Sequence, residues 1–378
     1  MPSVNPFDSI VNKSMSFWKI CGCSVAIVKE GQVLHCKGYG TKSLDPKKMH
    51  NNVNAHTLFP IASLTKPFTA VLAGILVDKQ AVQWEDPIAK HYPLFKLSNE
   101  YAYEHLTLHD CLCMHSGLQG PEISRELEGK PAASRKQLLE LLPTFPFLNG
   151  FRGLFGYQNL HYVLAGKLLE TVYGSSWEKM VAKEIFSPLK MDRSCASGQK
   201  FQHDFNHALP YQVVLGQIKP AGYESLENIA PGAGVYSTAE DMAKFLQAIS
   251  LNTRSNEPLL KVGTCKKAMQ PQCLAAAEGF FGQASERQKE QLFPDAQFFT
   301  YGYGWFIHDY RGMLICHAPG ITDGYAAVML YVPAMDLGIV VLANVESTQF
   351  VHSLAYQILD KFFHVQTDWD ALYLQRTK

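Results

Sequence analysis

A serine hydroxyl attacks an acyl carbon only if a base removes its proton as it does so. Five S-x-x-K stretches place a serine three residues ahead of a lysine, beginning at Ser16, Ser63, Ser176, Ser187 and Ser197. On a helix that spacing puts both side chains on one face, where the amine can reach the hydroxyl. Context separates the five. Ser187 precedes Pro188 in SPLKMD, and Ser197 lies in SGQK; both read as loops. Ser16 and Ser176 sit among charged neighbours on surface-helix patterns. Ser63 alone joins an apolar lead-in, Leu58–Ala62, to a long apolar helix. Pro67 suits the first turn of that helix, where its missing N–H has no intrahelical partner to lose. The helix start supplies positive potential, and the N–H of Ser63 can face a developing oxyanion. Ser63 therefore reads as a nucleophile and Lys66 as its activating partner. The plainer reading is an N-cap serine beside a solvated lysine.

Tyr157-Gln158-Asn159 is the only Y-x-N among the 17 tyrosines. It follows the loop NGFRGLFG and opens the helical pattern LHYVLAGKLLETVYG. At such a junction a nearby lysine and the helix dipole favour the phenolate, so Tyr157 is expected to relay the serine proton. The Asn159 amide offers a donor and an acceptor to a substrate amide. The plainer reading packs the tyrosine on the helix start and makes the asparagine a cap. Later, His317-Ala318-Pro319-Gly320 follows MLIC on a strand-like run. The edge of such a strand could bind an extended acyl chain through backbone groups. Gly320 would offer a second oxyanion N–H, and His317 a positive or hydrogen-bonding group beside Lys66 and Tyr157. The plainer reading is a histidine at a strand end.

Residues 63, 157 and 317 are far apart in the chain, so the fold must bring them together. Cys23–Lys29 and Gln32–Gly38 are strand-like and flank Glu30-Gly31, a hairpin signal. Residues 63–80 read as a helix. Between about 81 and 295, helical stretches at 134–142, 160–173 and 239–250 are separated by Pro, Gly and Asn loops, with Thr238 and Asp241 placed like a capping box. Strand patterns return at 301–308, 312–317, 324–332 and 337–343, and 349–363 closes as an amphipathic helix. This order implies an α/β (α+β) chain. Both ends, about 1–62 and 296–378, build one sheet. The middle, about 63–295, forms a mainly helical lobe, with a ligand cleft between them.

At 378 residues the chain exceeds what one core usually fills, which also favours two lobes. Lys+Arg and Asp+Glu balance at 34 each, and no basic run marks a nucleic-acid partner. No run reaches the ~18 apolar residues of a membrane span. The N-terminus lacks the apolar core and cleavage site of a secretory signal. The nine cysteines include C-x-C at Cys21/Cys23 and Cys111/Cys113 rather than paired C-x-x-C. They read as reduced thiols of a cytoplasmic protein; removal of an export signal would make it periplasmic or secreted. His203 and His207 have H-x3-H spacing without a third ligand, so no metal is expected there. No serine lies in G-x-S-x-G.

Taken in order, the three motifs resemble the serine β-lactamase and penicillin-binding-protein superfamily. The likeness is greatest to its branch of class C β-lactamases, D-stereospecific peptidases and family VIII esterases. It extends over about residues 20–345 and includes SLTKPFTA (63–70), LTLHDCLCMHSGL (106–118), residues 156–174, PLKM (188–191) and PGAGVYSTAEDMAKF (231–245). His115-Ser116-Gly117 also has the H-x-G form but precedes Tyr157, out of the family order. The cluster His109, Cys111, Cys113 and His115 falls where the family has a structural helix and turn. The resemblance implies an antiparallel sheet flanked by terminal helices, with no metal or organic cofactor. It implies that Ser63 forms an acyl-enzyme, that Lys66 and Tyr157 share the proton transfer, and that Asn159 contacts a small-molecule or peptide acyl substrate. One departure is Pro319, where the branch has glycine as third residue of the strand triplet. Proline removes a donor and adds bulk but leaves the N–H of Gly320. With His317 in place of lysine, this favours ester or peptide-like turnover over efficient β-lactam hydrolysis. The alternative is a penicillin- or peptidoglycan-peptide-binding protein without turnover. The sequence is silent on oligomeric state.

Overall fold

Strand β1 (Gly22–Lys29) and β2 (Gln32–Gly40) meet at Glu30-Gly31, whose φ angles of 50° and 73° make the tight turn that matches strand twist. In this computed structural model the described residues are 5–48, 50–119, 133–147, 150–251, 258–275 and 298–375. The later strands are β3 (Cys273–Leu274), β4 (Phe299–Tyr301), β5 (Phe306–Tyr310), β6 (Met313–Thr322), β7 (Tyr325–Val332) and β8 (Leu337–Ala343). They form one antiparallel eight-stranded sheet in the order β2-β1-β8-β7-β6-β5-β4-β3. The expected union of both chain ends is the β1–β8 pair, one strand in from the β2 edge, where Cys23 faces Ala343 and Lys29 faces Leu337. Strand β3 comes from within the stretch read as the helical lobe, and the boundary placed at 295/296 falls outside the described residues.

Alternation along the strands divides the core. Val25, Ile27, Val328, Leu330, Ile339 and Val341 pack with helices α1 (Pro6–Trp18), α5 (Thr348–Phe362) and α6 (Trp369–Leu374). Ala26, Val28, Ala327, Met329, Val340 and Leu342 face the other way, into the core of α2 (Thr65–Asp78), α3 (Asn159–Tyr173) and α4 (Ala239–Ile249). Strands β7 and β8 are buried on both faces, which explains why they read as continuous apolar runs. Thr238 caps α4 by accepting from the N–H of Asp241, as its spacing suggests. Helix α2 is buried all round from Thr65 to Leu76, so it lies in the middle of its core rather than on a surface.

Two differences from the sequence expectation bear on the site. The run 301–308 is two strands, broken at Gly302–Trp305, because the turn meets α2. A Cβ on Gly304 would lie 2.6 Å from the Pro67 nitrogen, and its φ of +85° suits glycine. Strand β6 runs on to Thr322, past the expected end at 317.

Candidate active site

A 3-10 turn, Ala62–Leu64, leads into α2 and carries Ser63 at the head of the helix. Ala62 has φ of +46°, a left-handed conformation that costs about 1–2 kcal/mol in a residue with a Cβ. The surroundings hold it there: the N–H of Ile61 donates to Val235 O (3.0 Å), and the N–H of Leu64 to Ile61 O (3.1 Å).

Lys66, one turn on, is 1% exposed. Burying an ammonium group costs several kcal/mol unless partners replace its water. Three acceptors do so. Its Nζ donates to Ser63 Oγ (2.9 Å), Asn159 Oδ1 (2.8 Å) and the carbonyl of Gly232 (3.0 Å). The same nitrogen lies 4.8 Å from the ring centre of Tyr157 and 5.6 Å from that of Tyr162, near enough for the ring faces to favour a cation. Ser63, like Asn159, is half-buried.

Tyr157 sits just before α3 and is half-buried. Its ring stacks on Phe306 at 5.6 Å and meets Tyr301 edge-on at 6.2 Å. Gln158 ties the segment down by donating to Leu118 O at 2.8 Å. Asn159, the first residue of α3, is turned to Lys66 instead of serving only a substrate. The structure thus brings Ser63, Lys66, Tyr157 and Asn159 together from two helix starts that lie 93 residues apart, counted from Lys66 to Asn159.

Gly232 is the member that sequence reasoning missed. Its role is carried by a backbone carbonyl, which no side-chain pattern announces. The available signal was PGAG within an apolar stretch. A Cβ on Gly232 would come 3.2 Å from Asn159 Oδ1 and would crowd that amide.

His317 is not at this site. It is fully buried on the opposite face of the sheet, with its ring 4.8 Å from His352 on α5 and 6.3 Å from Tyr356. Burial, reinforced by His352 and His308, pushes its pKa well below the usual histidine value, so it is neutral rather than positive. The expectation placed the strand one residue out of phase. The position facing the nucleophile turn is Ala318, followed two residues later by Gly320, where a Cβ would lie 2.3 Å from Ile61 O.

The same phase bears on the second oxyanion donor expected at Gly320. Arg311 and Gly312, with φ of 50° and 77°, close the β5–β6 hairpin at the pair Tyr310/Met313. Backbone bonds alternate along an antiparallel strand. Residues 313, 315 and 317 therefore bond β5, and residues 316, 318 and 320 bond β7. Pro319, which has no N–H, falls in the phase that needs none from β7. Gly320 gives its N–H to β7. Strand β5 ends at Phe306, opposite His317, so the N–H of Ile321 is the one on the open edge beside the nucleophile turn.

A family model described as Beta-lactamase matches residues 7–361. Among curated proteins, the chain is similar to Unguisins hydrolase ungD' of Aspergillus campestris, 27% identical over 98% of this chain and 68% of that one. It is also similar to Protein flp of Staphylococcus aureus, 24% identical over 91% of this chain and 64% of that one. The chain spans about two thirds of the length of these relatives. Among solved structures it resembles the octameric penicillin-binding protein homologue from Pyrococcus abyssi, with TM-score 0.80 and 23% identity over 95% of this chain and 77% of that one. It also resembles a class C beta lactamase from Rhodobacter sphaeroides, with TM-score 0.73 and 19% identity over 96% of this chain and all of that one. At these identities the two structures bear on the fold alone, and they carry the same mixed architecture.

Proposed function

The chain belongs to the Beta-lactamase family, and from that premise we propose that it is a serine hydrolase working through an acyl-enzyme on Ser63. The observation that carries this reading is the set of partners around Lys66 Nζ. Asn159 Oδ1 and the Gly232 carbonyl can only accept, so they take two N–H bonds of the amine. The third partner is Ser63 Oγ. In the neutral amine, the remaining lone pair then points at the serine hydroxyl, the arrangement a general base needs.

Ser63 Oγ bonds to the acyl carbon as its proton passes to Lys66 Nζ. The carbonyl π pair moves to oxygen, and the oxyanion lies between the N–H groups of Ser63 and Ile321. Collapse breaks the bond to the leaving group, which receives the proton from Lys66 by way of Tyr157. A water molecule then attacks the acyl-serine with the same groups in reverse. No step calls for a metal.

Substrate class follows from the open edge of β6. Pro319 leaves that edge one donor short, which suits ester or peptide acyl groups better than a compact β-lactam. The likeness to a protein named as an unguisins hydrolase supports hydrolysis as the reaction class.

A fluorophosphonate probe is expected to label the wild-type protein and not Ser63→Ala. Equal labelling of both would remove Ser63 as nucleophile, and labelling of neither would favour a binding protein. A panel of short-chain esters, D-amino-acid amides, D-Ala-D-Ala peptides and a chromogenic cephalosporin should show the cephalosporin turned over most slowly.

A further inference from the structure

The carbonyl of Gly232 takes one hydrogen of the Lys66 amine, so its direction helps set where the amine points. Glycine neighbours leave that peptide free to rotate unless something fixes it. The segment Ala230–Val235 is wedged between α2 and α3, the helices that carry Lys66 and Asn159. On the α3 side Pro231 rests on Gly166, where a Cβ would lie 2.6 Å from the proline Cγ. On the α2 side two threonines grip the segment on either side of Gly232. Thr65 Oγ1 accepts the N–H of Val235 at 3.0 Å, and the Thr69 hydroxyl donates to Pro231 O at 2.6 Å. Both threonines are fully buried.

Thr69 has one hydrogen and two directions in which to use it. In a helix, a threonine hydroxyl commonly turns back to a carbonyl of the preceding turn. Here the indole of Trp177, which can only donate, gives its N–H to Thr69 Oγ1 at 3.0 Å. That occupies one lone pair of the hydroxyl and leaves its hydrogen for Pro231 O, 2.6 Å away. Trp177 is itself fully buried and touches neither Ser63 nor Lys66 in any hydrogen bond.

We infer that Thr69 and Trp177 are positioning residues, which hold the Pro231–Gly232 backbone so that the Gly232 carbonyl directs the Lys66 amine at Ser63. This rests on the reading of Lys66 as the base for Ser63. It adds a reason for the buried Trp177–Thr69–Pro231 chain beyond the packing of the lobe. A chain of this kind acts on rate more than on substrate affinity, because small displacements of a base cost rate steeply.

The test uses p-nitrophenyl acetate turnover of the full chain. Thr69→Val keeps the shape and removes the hydroxyl; it should lower kcat about tenfold while KM stays within about twofold. Thr69→Ser restores the hydroxyl and should return kcat to within about threefold of wild type. Trp177→Phe keeps the Thr69 hydroxyl but frees its rotation, and should fall between the two. Wild-type kcat in Thr69→Val would overturn the inference, as would a Thr69→Ser protein as slow as Thr69→Val. If Thr69→Val does not fold, Trp177→Phe decides: a kcat equal to wild type overturns the inference, and a reduced kcat with unchanged KM supports it. Ser63→Ala separates the two levels of the argument. Loss of turnover there with no effect at Thr69 sinks only the positioning role, whereas turnover retained in Ser63→Ala sinks the reading beneath it.

Discussion

On the face of the sheet packed by α1, α5 and α6, buried carboxylates are tied to donors of their own layer. Asp370 accepts from Ser14 (2.9 Å), the Trp18 indole (2.6 Å) and Ser353. Asp360 accepts from the Trp369 indole (2.9 Å) and Tyr310. These bonds fasten the two ends of the chain to each other and leave nothing for a ligand to exchange. On the opposite face the Lys66 amine is buried alongside the carboxylates Asp110 and Asp241. The Gly232 carbonyl is fixed backbone, whereas Ser63 and Asn159 are both half-buried, and Ser63 Oγ is the partner proposed to trade the amine for an acyl carbon. The left-handed Ala62 and the contact between Gly320 and Ile61 also belong to this face. Both faces therefore satisfy buried polar groups, as packing demands. On the Lys66 face two of the partners, Ser63 and Asn159, are half-buried rather than sealed in.

The sharpest way to break this contrast is to remove the exchangeable pair. Lys66→Ala and Tyr157→Phe should each lower p-nitrophenyl-ester turnover by about 10² to 10⁴, the range of acid–base contributions. A near-normal rate in either would deny that residue its role.

Acid tests both faces together. Burial lowers the pKa of His308, which contacts Tyr356 of α5, and of His161, which contacts Ser116 in the helical core, to about 4 in each case. The unfolded chain binds these protons near pH 6.5 and the folded chain only near 4. Stability from this source is thus complete above about pH 6.5 and is lost as pH falls toward 4, by at most about 3 kcal/mol for each histidine. Urea unfolding at pH 7.5 and pH 5 should show it; equal midpoints would contradict it.

A milder probe of the fastening face is Asp370→Asn. It weakens three buried bonds and should cost about 1–3 kcal/mol of stability, with turnover per folded molecule unchanged. Lost turnover at intact stability would mean that the two faces are coupled. The smallest expected effect is at Gly320→Ala, about tenfold in turnover, since the added methyl pushes β6 off Ile61 by a fraction of an ångström. Unchanged turnover would show that the strand can give way there.

Much of the architecture was legible because the signals are local. The Glu30-Gly31 turn, the apolar runs of β7 and β8, the Thr238 cap and the start of α2 all follow from short-range chemistry. The cluster Ser63, Lys66, Tyr157 and Asn159 was legible through side-chain type and order. The phase of β6 was not. A one-residue slip moves every side chain to the other face, and CHAPGIT has small or apolar residues in both phases. What settles it is the pairing with β5 and β7 and the glycine contact at Ile61, none of which lies in the stretch itself. The Gly232 carbonyl was hidden for a different reason: backbone groups carry no residue signature.

Pro319 has a consequence beyond catalysis. A strand that loses its neighbour partway along presents bare backbone, which another chain's strand can extend. Past Phe306, β6 does this over the segment proposed to receive a substrate. With proline there, an incoming strand finds the Ile321 N–H but no matching donor two residues earlier, and its ladder cannot propagate. The site can thus remain uncovered without inviting edge-to-edge association of one molecule with the next.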